Sequence, residues 1–394
     1  MSGFQFRWPS WRHPLLVTAA VLLAGCGGAG SGGEPLLSPE AAIGKQAFND
    51  PTLSASGRLS CASCHAAEAG HAAPNSLAVQ LGSSGLDVQG LRASQSLRYL
   101  AANTAFHFDA DGTPTGGFFW DGRADSLAAQ AGIPLLGARE MANPDKASVV
   151  AKLAGAQWAG EFKAVYGADI LQDADRAFDK LTQSLQRFQL EDVSFNAYTS
   201  KYDEVLRGNA VLTARESRGL ALFNDPAKGN CAACHTSTKA ADGSHPLFTD
   251  FSYDNLGIPR NAEIAANNSA SFDLGLCGRP DLWDREDLCG AFKVPSLRNV
   301  ALRQVLFHNG KFRSLKDALT FYVQRDTAPE KWYPRNPDGS IAKFDDLPAR
   351  LHSNVNTSEA PYDRKPGDSP ALDDREIDDV IAFLRTLNDG WRAR

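Results

Sequence analysis

Cys231-Ala232-Ala233-Cys234-His235 decides the reading of this chain, and Cys61-Ala62-Ser63-Cys64-His65 repeats it upstream. C-x-x-C-H is the attachment pattern for c-type haem: two thiols bond the porphyrin edge and the adjacent histidine ligates the iron. A zinc half-site would need further Cys or His at ligand spacing. A thiol redox pair does not call for a histidine beside its second cysteine. Two copies predict two covalent haems, on Cys61, Cys64 and His65 and on Cys231, Cys234 and His235.

The surroundings of the two motifs also repeat. Gly44-Lys45-Gln46-Ala47-Phe48-Asn49-Asp50-Pro51 precedes the first, and Gly219-Leu220-Ala221-Leu222-Phe223-Asn224-Asp225-Pro226 precedes the second. Each reads as a short helix stopped by proline. A second echo follows in Ala93-Ser94-Gln95-Ser96-Leu97-Arg98 and Val294-Pro295-Ser296-Leu297-Arg298. Self-similarity on this scale predicts two related domains. Each half closes on an amphipathic helix. Phe178, Leu181, Leu185 and Phe188 mark one over 177–190; Ile377, Val380, Ile381 and Leu384 mark the other over 373–387. Strand signals are weak. Residues 71–90 and 329–370 read as long irregular loops, and 203–212 as the crossover between halves.

The 394 residues carry 22% charged side chains and a formal net charge of −6, which speaks against nucleic acid as a partner. Arg7, Arg12 and His13 precede a short apolar run ending in Leu23-Ala24-Gly25-Cys26, which resembles a bacterial lipobox. The expectation is a signal peptide over 1–25, lipidation of Cys26 and a Gly-rich tether over 26–38. The product would be an exported lipoprotein on the periplasmic or cell-surface side, anchored to the outer membrane, and bound to a membrane through that lipid alone. Seven cysteines, less Cys26 and the four haem cysteines, leave Cys277 and Cys289, for which an oxidising compartment predicts a disulfide.

Three further stretches carry a resemblance. They are Phe119-Trp120-Asp121-Gly122-Arg123-Ala124-Asp125-Ser126-Leu127, with Gln130, Pro134, Glu140 and Met141 beyond it; residues 292–302; and Phe307-His308-Asn309-Gly310 followed by 314–322. Over roughly residues 40–390 the chain resembles the bacterial dihaem cytochrome c peroxidases and their relatives of the MauG and MbnH type. The resemblance implies a mainly α fold of two cytochrome c-like domains, 39–205 and 206–394, each with one covalent c-type haem and long irregular loops. It implies a peroxide-reacting haem in the first and an electron-relay haem in the second. Trp120 is similar to the tryptophan between the haems, and Gln130, Pro134 and Glu140 to the distal-pocket residues, with Glu140 as the proton-transferring group.

The position matching the family's iron-ligating methionine is Tyr322. Met1 and Met141 are the chain's two methionines, so a thioether donor is nearly ruled out there. A phenolate favours oxidised iron. Tyr322 therefore implies the MauG type, in which hydrogen peroxide drives the dihaem unit to a high-valent state that oxidises Trp or Tyr of a protein substrate. Trp283, Trp332 and Tyr333 are candidate exit residues. The alternatives are a peroxidase that reduces hydrogen peroxide with electrons from a small cytochrome or copper protein, and a non-enzymatic dihaem carrier. His71 lies where some relatives have a histidine capping the first iron, at a shorter spacing, and reads as a loop histidine. His308 reads as structural. The family's interdomain calcium uses an Asn side chain and backbone carbonyls. Ala93 matches that Asn and the carbonyls fall near Arg303 and Val305, which puts calcium in doubt.

Overall fold

A computed structural model describes residues 36–266 and 271–393. The expected signal peptide, Cys26 and almost all of the tether lie outside the described residues. From Leu37 onward the chain forms one compact unit. It is helix-rich. Sheet is confined, among the described residues, to three antiparallel ladders: 81–82 with 88–89, 107–108 with 114–115, and 253–254 with 292–293. No helix among the described residues is long and apolar enough to cross a membrane.

The helices are α1 (Pro39–Asn49), α2 (Cys61–Cys64), α3 (Leu127–Leu136), α4 (Lys146–Gly155) and α5 (Ala159–Tyr166). They continue with α6 (Ala174–Glu191), α7 (Lys201–Leu206), α8 (Ala214–Asn224), α9 (Leu315–Gln324) and α10 (Asp374–Arg385). The repeat read from the sequence has a packing cause. A Cβ on Gly44 of α1 would fall 2.0 Å from the Ser184 carbonyl oxygen of α6. A Cβ on Gly219 of α8 would fall 2.0 Å from the Asp379 carbonyl oxygen of α10. Only glycine lets either helix approach its partner this closely. Asp50 and Asp225 cap the two helices, and a proline follows each.

Two principal cores result. Ile43, Phe48, Leu181, Phe188 and Phe195 lie in one; Phe223, Phe248, Phe321, Val380 and Phe383 lie in the other. Tyr202 already belongs to the second core. The crossover at 203–212 is not a bare linker. Its first part is α7, capped by Ser200, and Asp203 is wholly buried there by an ion pair with Arg298. Cys277 and Cys289 form the expected disulfide.

Candidate haem sites

Each C-x-x-C-H closes a turn that fixes its histidine. In the first, the Ser60 amide donates to Ser63 Oγ at 3.0 Å and the His65 amide to the Cys61 carbonyl at 2.9 Å. In the second, Asn230 adopts a left-handed conformation (φ 49°) and its side chain donates to the Ala360 carbonyl. The His235 amide then reaches the Cys231 carbonyl at 2.8 Å. His65 Nδ1 lies 3.2 Å from the His71 carbonyl and 3.0 Å from that of Gln95; His235 Nδ1 lies 2.8 Å from that of Phe248. A carbonyl only accepts, so Nδ1 carries the proton and Nε2 keeps a free lone pair. Burial holds both imidazoles neutral, and pulls His65 down to about 4. This is how a metal-ligating histidine is prepared.

The four cysteines are free thiols. Burial pushes Cys61, Cys231 and Cys234 up to about 12 and Cys64 to about 11. The thiol of a redox pair would be shifted the other way. Among the described residues no three His, Cys, Asp or Glu side chains gather as a metal-binding group. The two motifs thus lack the further ligands that zinc requires.

Each motif opens on its own cavity. The first, about 720 Å³, is lined by Cys61, Cys64, His65, Gln130, Pro134 and Glu140. Gln130 and Pro134 come from α3, and Glu140 from the turn after it. Burial by the surrounding protein raises the Glu140 pKa, against the opposing charge of Arg123, although the carboxyl is open to the cavity. A Cβ on Gly137 would meet Glu140 Oε2 at 2.5 Å, so glycine there leaves the carboxylate its place.

The second cavity, about 190 Å³, is lined by Cys231, Cys234, His235, Tyr322 and Tyr362 among others. Tyr322 comes from α9. Its ring lies 5.6 Å from Phe307 and 5.9 Å from Tyr362. Burial, then Cys231, Asp254 and Cys234, push its phenol far up, while its hydrogen-bonding neighbour Tyr362 acts the other way. No methionine of the described residues lines this cavity: Met141 is buried in the first core and lines the first.

Trp120 lines both cavities. Its Nε1 donates to the Ala93 carbonyl at 2.8 Å, and its own carbonyl accepts the Lys293 amide. His71 does not line the first cavity. Its Nε2 pairs with Ser194 Oγ at 2.9 Å and its ring stacks on Phe195. It serves instead through its carbonyl, which accepts from His65. His308 stacks on Phe292 at 3.6 Å and meets Trp120 edge-on. Of the candidate exit residues Trp283 is 75% exposed, whereas Tyr333 is buried with its hydroxyl on the Gly257 carbonyl. Tyr333 therefore offers no surface.

Tyr362, Asp254, Lys293 and Arg303 escaped the sequence reading as cavity residues. Lys293 lies in the 292–302 stretch and Arg303 beside the calcium carbonyls, but neither was marked as facing a cavity, and three of the four lie far along the chain from the thiols they face. Ala93 has no oxygen in its side chain, and the Arg303 guanidinium donates to the Ser94 and Val305 carbonyls. A guanidinium on those carbonyls is a poor neighbour for calcium.

Paired cavities, each with two thiols and a prepared imidazole and with one indole on both walls, define an oxidoreductase of the dihaem peroxidase type. The chain belongs to the family of dihaem cytochrome c peroxidases and MauG. The family model described as di-haem cytochrome c peroxidase matches residues 38–211. The chain is 36% identical to the methylamine utilization protein MauG of Paracoccus denitrificans, over 96% of this chain and 95% of that one. It superposes on the diheme peroxidase BthA of Burkholderia thailandensis with a TM-score of 0.82 and 37% identity, covering 90% of this chain and 87% of that one. A MauG-like protein associated with microbial copper homeostasis matches with a TM-score of 0.63 and 25% identity, covering 91% of each chain. Membership implies two c-type haems, and the thiols and Nδ1-protonated histidines of both cavities fit them.

Proposed function

We propose that this chain uses hydrogen peroxide to oxidise a protein substrate at Trp or Tyr, in the manner expected of the MauG type. The observation that carries the reading is Tyr322 on the wall of the second cavity, with no methionine of the described residues beside it. Cys61, Cys64 and His65 would hold one haem covalently, and Cys231, Cys234, His235 and Tyr322 the other. Bound haem supplies the electron-transfer chemistry that the side chains lack.

The protein's own part begins with the proton. Glu140, whose pKa burial raises, lines the first cavity and would take a proton from one peroxide oxygen and return it to the other. Gln130 and Pro134 shape the space beside it. Trp120 joins the walls of the two cavities, and an indole can pass an electron between them. The partners are hydrogen peroxide and a protein. The division into domains 39–205 and 206–394, export of the chain and lipidation of Cys26 belong to the same proposal; the two cores support the division.

The second reading is a peroxidase that reduces hydrogen peroxide with electrons from a small cytochrome or copper protein. The similarity to BthA, a diheme peroxidase, favours keeping it. One experiment separates them. The holoprotein is incubated with peroxide and the protein encoded beside it, and the partner is weighed. Oxygen added to the partner only when peroxide is present supports the first reading. Steady turnover of peroxide with a reduced small cytochrome, and an unaltered partner, overturns it. Glu140→Gln is expected to slow the peroxide-dependent step by on the order of 10²–10⁴.

A further inference from the structure

Arg303 occupies an unusual place. It lines both cavities. Its Nε donates to the Val305 carbonyl at 3.3 Å, and one terminal nitrogen donates to the Ser94 carbonyl at 3.0 Å. Ser94 follows Ala93, whose carbonyl holds the Trp120 indole, and Val305 packs on Ala93 and Ala73. The guanidinium therefore ties together the backbone on either side of the inter-cavity tryptophan.

Its charge is uncompensated among the described residues. Burial alone acts on it, pulling the pKa to about 10, and no carboxylate among the described residues offsets that. It remains a cation at neutral pH. A desolvated cation without a counter-ion is costly, and such groups are found paired. A guanidinium has five N–H donors. The two carbonyls leave the rest of them without a protein acceptor among the described residues, on the walls of both cavities. The missing partner is an anion that enters from the cavities. Each porphyrin of a c-type haem carries carboxylates, which a guanidinium binds with good geometry.

We propose that Arg303 is a built-in cation at the junction of the two haem sites, holding the Ser94 and Val305 carbonyls and the porphyrin carboxylates, so that the chain needs no calcium there. The proposal rests on the dihaem reading above. It makes Arg303 a positioning residue. A fixed positive charge between the haems favours the reduced form of each, and it secures the Trp120 acceptor without a removable ion.

The test has two arms on the purified holoprotein. Metal analysis is expected to find well under one calcium per chain, and dialysis against a chelator to leave the haem spectra and both reduction potentials unchanged. In Arg303→Gln both potentials are expected to fall, by about 59 mV for each tenfold change in the one-electron equilibrium constant. Arg303→Lys, which keeps the charge, should fall less. One tightly held calcium per chain overturns the proposal. So do potentials of Arg303→Gln that match the wild type. If Arg303→Gln does not fold, Arg303→Lys with both potentials moved and the calcium count decide the matter. Absence of covalent haem from the wild-type chain overturns the dihaem reading together with this one, and haemochrome absorbance detects it directly.

Discussion

Arg298 holds Asp203 with two hydrogen bonds of 2.9 and 3.0 Å, and both side chains are fully withdrawn from solvent. Ser200 and His245 complete the carboxylate's partners. The matching arginine of the first half, Arg98, pairs with Asp389 at 3.1 Å. Each Ser-Leu-Arg echo thus sends its arginine to an acid outside its own motif: Arg98 to the end of the chain, Arg298 to the start of the crossover. The repeat is an interlock as well as a duplicated fold.

Arg298→Ala leaves Asp203 buried with one strong partner fewer, a change that typically costs about 3–5 kcal/mol. Burial raises the Asp203 pKa, but the hydrogen bonds and charge of Arg298, with Ser200 and His245, outweigh it and hold the carboxyl well below the usual range. A carboxyl lowered on folding contributes stability at pH above its unfolded pKa and loses it as pH falls through the folded value. Denaturant unfolding should therefore show the gap between wild type and Arg298→Ala narrowing in strong acid. A gap that stays constant down to that range would sink the assignment.

Trp120→Phe keeps an aromatic ring between the cavities and removes the Nε1 proton from the Ala93 carbonyl. A buried acceptor left without its donor costs about 1–3 kcal/mol. The expected outcome is a folded holoprotein of lower stability, with both haem spectra retained and peroxide-dependent oxidation of the partner reduced. Unchanged partner oxidation would remove the indole from the electron path.

The Cys277–Cys289 disulfide closes a short loop that carries Leu282 and Leu288 into a small core with Tyr253, Leu276 and Leu351. In the chain-entropy picture a loop of this size is stabilised by about 3 kcal/mol. The double variant Cys277→Ser, Cys289→Ser should become sensitive to protease within 278–288, where Trp283 is already exposed. Equal protease resistance in the two proteins would show that the small core holds the loop unaided.

Local pattern carried much of this molecule. The glycines of the repeat, the asparagine-aspartate-proline stops and the apolar faces of α6 and α10 are all short-range signals, and the structure has helices at each. The thiols and histidines were legible because C-x-x-C-H names them, and Gln130, Pro134, Glu140, Trp120 and Tyr322 because the resemblance to the family points to their positions. Partners brought together by tertiary folding were not. Asp203 looked like part of a polar crossover because its ion pair lies 95 residues away in sequence. Tyr362 sits in a stretch without periodicity, so nothing marked it as a cavity wall. Tyr333 looked like a surface aromatic because sequence does not reveal that its hydroxyl has a backbone acceptor. Lys293 lies in the 292–302 stretch and Arg303 just beyond it, but nothing local shows that either cation is buried on a cavity wall.

Lys293 is the sharpest case of burial that the sequence does not reveal. Its Nζ donates to the Gly117 carbonyl and lies 5.7 Å from the centre of the Phe118 ring, deep between the two cavities. Burial lowers its pKa from 10.5 to about 7, against the pull of Asp121. As with Asp203 the folded pKa lies below the unfolded one, but here because burial penalises the charged form rather than because partners favour it. Between pH 7 and 10.5 the unfolded chain binds a proton at this lysine that the folded chain does not, so this contribution to stability rises with pH across that window. Below about 7 the penalty for burying the charge is fully present. Lys293→Met removes the penalty and loses one hydrogen bond, worth about 1 kcal/mol. The variant is expected to be more stable than wild type at pH 6, by a few kcal/mol at the 1.36 kcal/mol that one pKa unit represents. That advantage should shrink and then reverse as pH approaches 10, where the wild-type lysine is neutral and still bonded to Gly117. Denaturant midpoints measured at both pH values check it: an advantage for Lys293→Met that is the same at pH 6 and pH 10 would mean the lysine keeps its proton in the folded chain.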